Sequence, residues 1–338
     1  FFYCFMLYYF EFRIVVNMIK KNYNNDIYID GVECYDVELS CVKGGGLIGS
    51  VNLSSDMTIN NVKISNVDIY NILSGDRPTA GGLIGSCYCY SSNALVSNIE
   101  IDGVQIKSST STATGGLLGF INSVIVDNVK IKNTTIESDV AYNIGGLIGN
   151  EQSATVSNVE LDNITVTLRV ASRFSMGGVI GFAEYGATDV DSVTLDNMTM
   201  SVEGLGLAHI GGIVGVNDQN NLKISNCNTN DLKINNASVE GITAGVIGLV
   251  LPRNTAEITG VNVNNTTITG KYAVGGILGC GVATIDNCTV TNPIITATTS
   301  TGTAGGAVGI AVEGSNLSNI TVTTNDELKE ETDEEVNY

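Results

Sequence analysis

The pentapeptide GGLIG stands at Gly45 to Gly49 and again, unchanged, at Gly81 to Gly85. It returns as GGLLG at Gly115, GGLIG at Gly145, GGVIG at Gly177, GGIVG at Gly211, AGVIG at Ala244, GGILG at Gly275 and GGAVG at Gly305, nine copies 30 to 36 residues apart. A repeat of that length belongs to chains that stack one small unit on the next, because no single unit can bury its own apolar face.

A second block recurs between the copies, as INNVKISNVDI from Ile59, VSNIEIDGVQI from Val96, VDNVKIKNTTI from Val126 and VSNVELDNITV from Val156. One of its columns reads Gly31, Asn61, Asn98, Asn128, Asn158, Ser192, Asn226, Gly260, Asn287 and Asn319. Asn and Gly are the residues that most readily take positive φ, so a column that exchanges one for the other marks a backbone corner. A second such column follows five residues later, from Asp36, Asn66 and Gly103 to Asn292. Between the corners lies a short strand patterned apolar, polar, apolar, whose flanking residues point inward and whose middle one points out.

Stacked in register, that middle column places Glu33, Lys63, Glu100, Lys130 and Glu160 in succession, followed by Thr194, Asn228, Asn262, Thr289 and Thr321. With strands about 4.8 Å apart, the first five form an outer ladder of alternating acid and base, and neighbours of opposite sign are mildly stabilising. In the pentapeptide both the Leu and the Ile columns are aliphatic or Ala, although a strand with one wet face alternates. Either a bend turns both inward, or the outer column is covered. The expectation favoured here is an outer Leu ladder covered by variable loops such as SGDRPTA and ASRFSM. If left uncovered, such a ladder would be a strip for partners or for lateral self-association.

The fold class expected is all-β: a parallel β-helix, or β-solenoid, of about ten coils of 30–36 residues. Each coil has three short strands, right-handed by the crossover rule. The repeat domain spans 29–323. Residues 1–28, rich in Phe and Tyr, form an aromatic leader or N-terminal cap, a truncated export signal, or sequence upstream of a start at Met18. Residues 324–338 are an acidic tail or linker.

The copies resemble the GLUG motif, a short repeat of bacterial adhesins, of immunoglobulin A protease amino-terminal regions and of other surface proteins. Gly46, Leu47, Ile48 and Gly49 match it, as do Gly82, Leu83, Ile84 and Gly85; later copies relax the Leu. The resemblance implies a non-catalytic surface or secreted repeat protein, acting as an adhesive or structural stalk. Its partner would be a protein or glycan on a surface, its location extracellular or at the cell surface. It brings no catalytic residues.

Composition narrows the partners. A formal charge of −19 with only 16 Lys and Arg speaks against nucleic acid, which needs clustered cations. No apolar run in the repeat region is long enough for a transmembrane span. Of eight cysteines, Cys34, Cys227 and Cys288 fall in apolar columns and read as small buried hydrophobes. Cys87 and Cys89 share a strand face, but a pair without a second pair falls short of a four-ligand metal site. No cofactor is implied.

His209 is the one histidine, read as a loop or packing residue at the entry to a Gly pair. A carbohydrate-active β-helix enzyme, of polysaccharide lyase or hydrolase type, is the rival reading. It would draw on a carboxylate pair with a basic residue, here Asp189 and Asp191, Glu184, Arg169 and Arg173. Thr-rich stretches such as SSTSTAT suggest ice-binding solenoids, but that reading needs a Thr column on every coil, which the repeats lack.

Overall fold

The structure, a computed structural model, describes residues 13–21, 26–53, 55–71, 77–89, 94–109, 111–139, 142–169, 173–204, 206–219 and 221–324. Among these there is no helix, and so none long and apolar enough to cross a membrane. The chain is a β-solenoid built from three sheets. The first is a long sheet in which runs such as Met57–Asn71, Val124–Ser138 and Ala154–Leu168 pair in parallel with the same stretch of the next coil. The other two are nine-stranded. One is made of strands such as Thr79–Gly81 and Asn143–Gly145, the other of strands such as Ile84–Cys89 and Leu118–Ile121. The coil therefore completes nine turns, and the long sheet makes a tenth pass from Asn316 to Thr323.

The corner residues explain how a single run turns twice without leaving the sheet. Gly31, Asn61, Asn98, Asn128, Asn158, Ser192, Asn226, Gly260, Asn287 and Asn319 all have φ between 49° and 66°. The second column, from Asp36 and Asn66 to Asn292, lies between 50° and 71°. These are left-handed conformations, in which short polar side chains and glycine carry the smallest steric cost. Between and beside the corners, alternate residues enter the core: Val126, Val129, Ile131, Ile136, Val156, Val159 and Leu161 are buried.

The pentapeptide departs from the expectation of an outer Leu ladder. Leu83 and Ile84, Leu117 and Leu118, and Leu147 and Ile148 are all fully buried members of one continuous core. The chain bends at the second glycine and the Leu, between the two nine-stranded sheets, so both aliphatic columns face inward and neither offers an outer strip. The glycines make the bend possible by their lack of volume. A Cβ on Gly82 would run into the carbonyl oxygen of Gly116 one coil on, and one on Gly116 into that of Gly146. A Cβ on the first glycine, as at Gly115, would strike the carbonyl oxygen of Leu118 in its own coil. Ala244, the one departure from Gly in that column, is fully buried.

The two ends differ. Arg13–Lys21 pairs antiparallel with the first rung, from Arg13 opposite Tyr35 to Lys21 opposite Ile27, and so occupies one edge of the long sheet. Ile27 and Tyr28 of the expected leader already belong to that rung, and residues 1–12 and 22–25 lie outside the described residues. At the other end the interior columns come to the surface, with Leu317 44% and Val322 43% exposed. The acidic tail beyond 324 also lies outside the described residues.

Candidate functional site

The most developed surface feature is the outer face of the long sheet between its two corners. Glu33 stands opposite Lys63, Lys63 opposite Glu100, Glu100 opposite Lys130, and Lys130 opposite Glu160. Two of these four steps close into ion pairs, Lys63 with Glu100 at 3.7 Å and Lys130 with Glu160 at 2.6 Å. Glu100 also reaches Lys132 at 3.7 Å, which in turn pairs with Asp102 at 3.2 Å. The face forms a shallow open groove of 670 Å³ lined by Glu33, Lys63, Glu100, Lys130, Lys132 and corner residues.

Corner side chains form ladders of their own. Asn158 and Ser157 both donate to the Asp127 carboxylate one coil back, at 2.8 and 2.7 Å. Asn226 and Ser225 do the same to Asp191, at 2.8 and 2.6 Å, and Asn319 and Ser318 to Asp286. Asn61 donates to Asp30, Asn98 to Asn60, and Asn128 to Asn98. Asn287 carries the same φ at the equivalent corner. A carboxylate that accepts several hydrogen bonds is stabilised in its charged form. Asp127 and Asp191 are accordingly held below the usual carboxylate range, Asp127 by Asn158 and then Ser157, Asp191 by Ser225 and then Ser192 and Asn226.

Beyond the fifth rung the same face changes character. Asn228 and Asn230 stand opposite Asn262 and Asn264, which stand opposite Thr289 and Thr291, and these oppose Thr321 and Thr323. With Thr194 and Asp196, which precede them, the ten outward positions of these five rungs include one charged residue. The corresponding positions of the first five rungs are charged except for Tyr35 and Ser65.

The residues considered for catalysis are dispersed. Asp189 is exposed and pairs in register with Thr155 and Lys223, while Asp191 is a corner acceptor. Arg169 follows the far end of the same rung as Thr155 and binds Glu137 at 3.1 Å and Asp139 at 3.7 Å. Glu184 ends the strand Ile180–Glu184, and Arg173 opens Arg173–Gly177. The structure does not draw Asp189, Asp191, Glu184 and Arg169 into one site.

His209 is not in a loop but within the strand Leu207–Gly211. Burial pushes its pKa down to about 4, and its Nδ1 has no partner among the described residues. Cys34, Cys227 and Cys288 are buried in the core. Cys87 and Cys89 have their sulfurs 3.3 Å apart; the hydrogen bond between them raises the Cys87 pKa and lowers that of Cys89. Among the described residues no group of three His, Cys, Asp or Glu is placed to hold a metal ion.

One titratable group was missed. Glu151 is fully buried, its Oε1 accepts from the Thr188 hydroxyl at 2.7 Å, and its Oε2 has no partner among the described residues. Burial pushes its pKa up to about 8, against the opposing hydrogen bond from Thr188. The signal was present: two residues after the third glycine, the column reads Val51, Cys87, Ile121, Glu151 and Ala183.

No family model matches the chain, and no curated protein matches it. Among solved structures, the catalytic domain of a GH87 alpha-1,3-glucanase in complex with nigerose shares 12% identity, over 88% of this chain and 63% of that one, with a TM-score of 0.28. The chain thus spans less than two thirds of that domain, and the likeness is too slight to bear on chemistry.

Proposed function

We propose that the protein is a non-catalytic surface or secreted repeat protein whose solenoid acts as an adhesive or structural stalk. The observation that carries this reading is the continuity of the side-chain ladders: hydrogen bonds and ion pairs link each rung to the next along the outer face. Such a face is tied rung to rung along the rod, charged over its first five rungs and largely amide and hydroxyl over the last five, and is suited to repeated contacts rather than to one reaction centre. Asp191, one of the acids the rival glycosidase reading would draw on, is held ionised by three donors. That suits a corner acceptor and is opposite to the raised pKa of a general acid.

The test is protease shaving of intact source cells, with mass spectrometry of released peptides against a cytosolic control. Release of peptides from 29–323 is expected; recovery only after lysis overturns the surface role. New reducing or unsaturated ends from a polysaccharide panel, abolished by Asp189→Asn or Asp191→Asn, would overturn the non-catalytic reading.

A further inference from the structure

Between its two corners, the outer face of the last five rungs is a lattice of amides and hydroxyls with one carboxylate, Asp196. Rungs repeat about every 4.8 Å, and outward residues two apart on a strand are about 6.6 Å apart. Its central side chains are already tied together: Asn230 donates to Asp196 at 2.7 Å, Asn262 to Asn228 at 2.9 Å, Asn264 to Asn230 at 2.9 Å, and the Thr289 hydroxyl to Asn262 at 2.6 Å. Each amide engaged in this way keeps a further donor and acceptor for a ligand. Because these bonded side chains are held before any partner arrives, ordering them costs little on binding.

From this arrangement we infer that the face formed by the last five rungs docks an insoluble, uncharged polysaccharide, presented as an ordered surface of hydroxyl groups. The inference rests on the stalk reading and assigns it a partner class and a place. Charge selects the class. In a chain of net charge −19, the positions between the corners bear only Asp196, and Asp191, Asp231 and Asp286 border them at the corners, whereas Lys223, already paired with Glu257, and Lys233 lie beyond the corners. A polyanion therefore meets repulsion with no cation between the corners. Neutral amides and hydroxyls are also cheaper to desolvate than the Glu and Lys of the first five rungs. Geometry selects the ordered form. Each rung supplies weak hydrogen bonds, so useful affinity requires many to act together, and only a rigid periodic ligand can meet a rigid periodic face on several rungs at once.

The experiment is sedimentation of the purified full chain with microcrystalline cellulose, crystalline chitin and insoluble α-glucan, and with a carboxylated polymer for comparison. Binding to at least one neutral polymer is expected, little changed between 0.05 and 0.5 M salt as follows from an uncharged contact, with none to the carboxylated one. The double variant Asn262→Glu and Thr289→Glu should lose binding about tenfold or more, as expected when charges must be buried. Thr289→Asn, which keeps the chemistry of the columns, should retain binding and shows that loss is not misfolding, as should the circular dichroism of the double variant. Absence of binding to all three neutral polymers, or binding abolished by salt or by Lys130→Gln, overturns the inference, as does ice shaping without sedimentation. Cell shaving reads the stalk role separately: a surface-exposed chain that binds nothing sinks this inference alone, and a chain that binds but is released only on lysis sinks the surface role alone.

Discussion

Lys130 Nζ lies 2.6 Å from Glu160 Oε1 on the adjacent rung, and its other ladder neighbour in register is Glu100. Lys130→Glu would set three acids in succession on one face, where like charges directly opposite are destabilising. The thermal midpoint should fall at low ionic strength and largely recover in 0.5 M salt, since exposed charges are screened. Lys130→Gln should show a smaller fall. Differential scanning calorimetry at two salt concentrations checks both.

Gly178→Ala tests the bend. Its Cβ would meet the carbonyl oxygen of Gly212 and press on Leu195 and Met198 of the core. A fixed backbone atom cannot give way as a side-chain tip can, so the cost should be about 3 kcal/mol, in the upper range for overpacking. Urea unfolding of the full chain measures it.

Asn158 combines a φ of 54° with a hydrogen bond to Asp127. Asn158→Ala removes the bond and leaves a Cβ residue in the left-handed region without local support, a loss of about 1–3 kcal/mol. Asn158→Gly also removes the bond but relieves the backbone, so it should cost less. An equal cost for both would show that the hydrogen bond, not φ, sets the preference at this corner.

Glu151 ties stability to alkaline pH. The unfolded chain releases this proton near the ordinary value of 4.5, whereas the folded chain holds it to about 8. Between those values the unfolded state binds fewer protons, so stability should fall as pH rises, by about 1.4 kcal/mol per unit at most, and level off above 8. Glu151→Gln, which keeps the shape and the bond from Thr188, should match the parent near pH 4 and exceed it by about 2–4 kcal/mol at pH 9. Denaturation at both pH values decides it.

Asp127 and Asp191 act on the opposite flank. Their folded pKa values lie below the ordinary 3.8, so their contribution is complete above that value and is lost as pH falls through the folded pKa. Asp127→Asn with Asp191→Asn should flatten the acid side of the stability curve below pH 4, leaving the alkaline side unchanged. An unaltered acid limb would show that other carboxylates govern it.

The corners were readable because a column of Asn and Gly has few explanations other than φ, and Asn61, Asn128 and Asn158 carry that conformation. Rung register followed from the corners, which is why Glu33, Lys63, Glu100, Lys130 and Glu160 could be set opposite one another. The Leu and Ile columns were ambiguous for a physical reason. Two adjacent aliphatics look alike whether a bend turns both inward or a loop covers one, and the deciding quantity, the clearance between Gly82 and the Gly116 carbonyl, exists only in three dimensions. Glu151 escaped because attention to apolar columns passes over a single acid within them. The Asn and Thr lattice needed the second outward column, with Asn230, Asn264 and Thr291, to become a plane rather than a line.

The antiparallel strand Arg13–Lys21 at one end and the rung Asn316–Thr323 at the other give the rod a direction of growth. A ribosome delivers the blocked edge first. Each later coil then finds, 30 to 36 residues behind it, a finished template whose unpaired strands and exposed apolar columns await the next rung. Assembly can therefore keep pace with synthesis, with the newest coil always the least stable. A premature stop within the repeats would leave a shorter rod of the same kind rather than an unfolded chain.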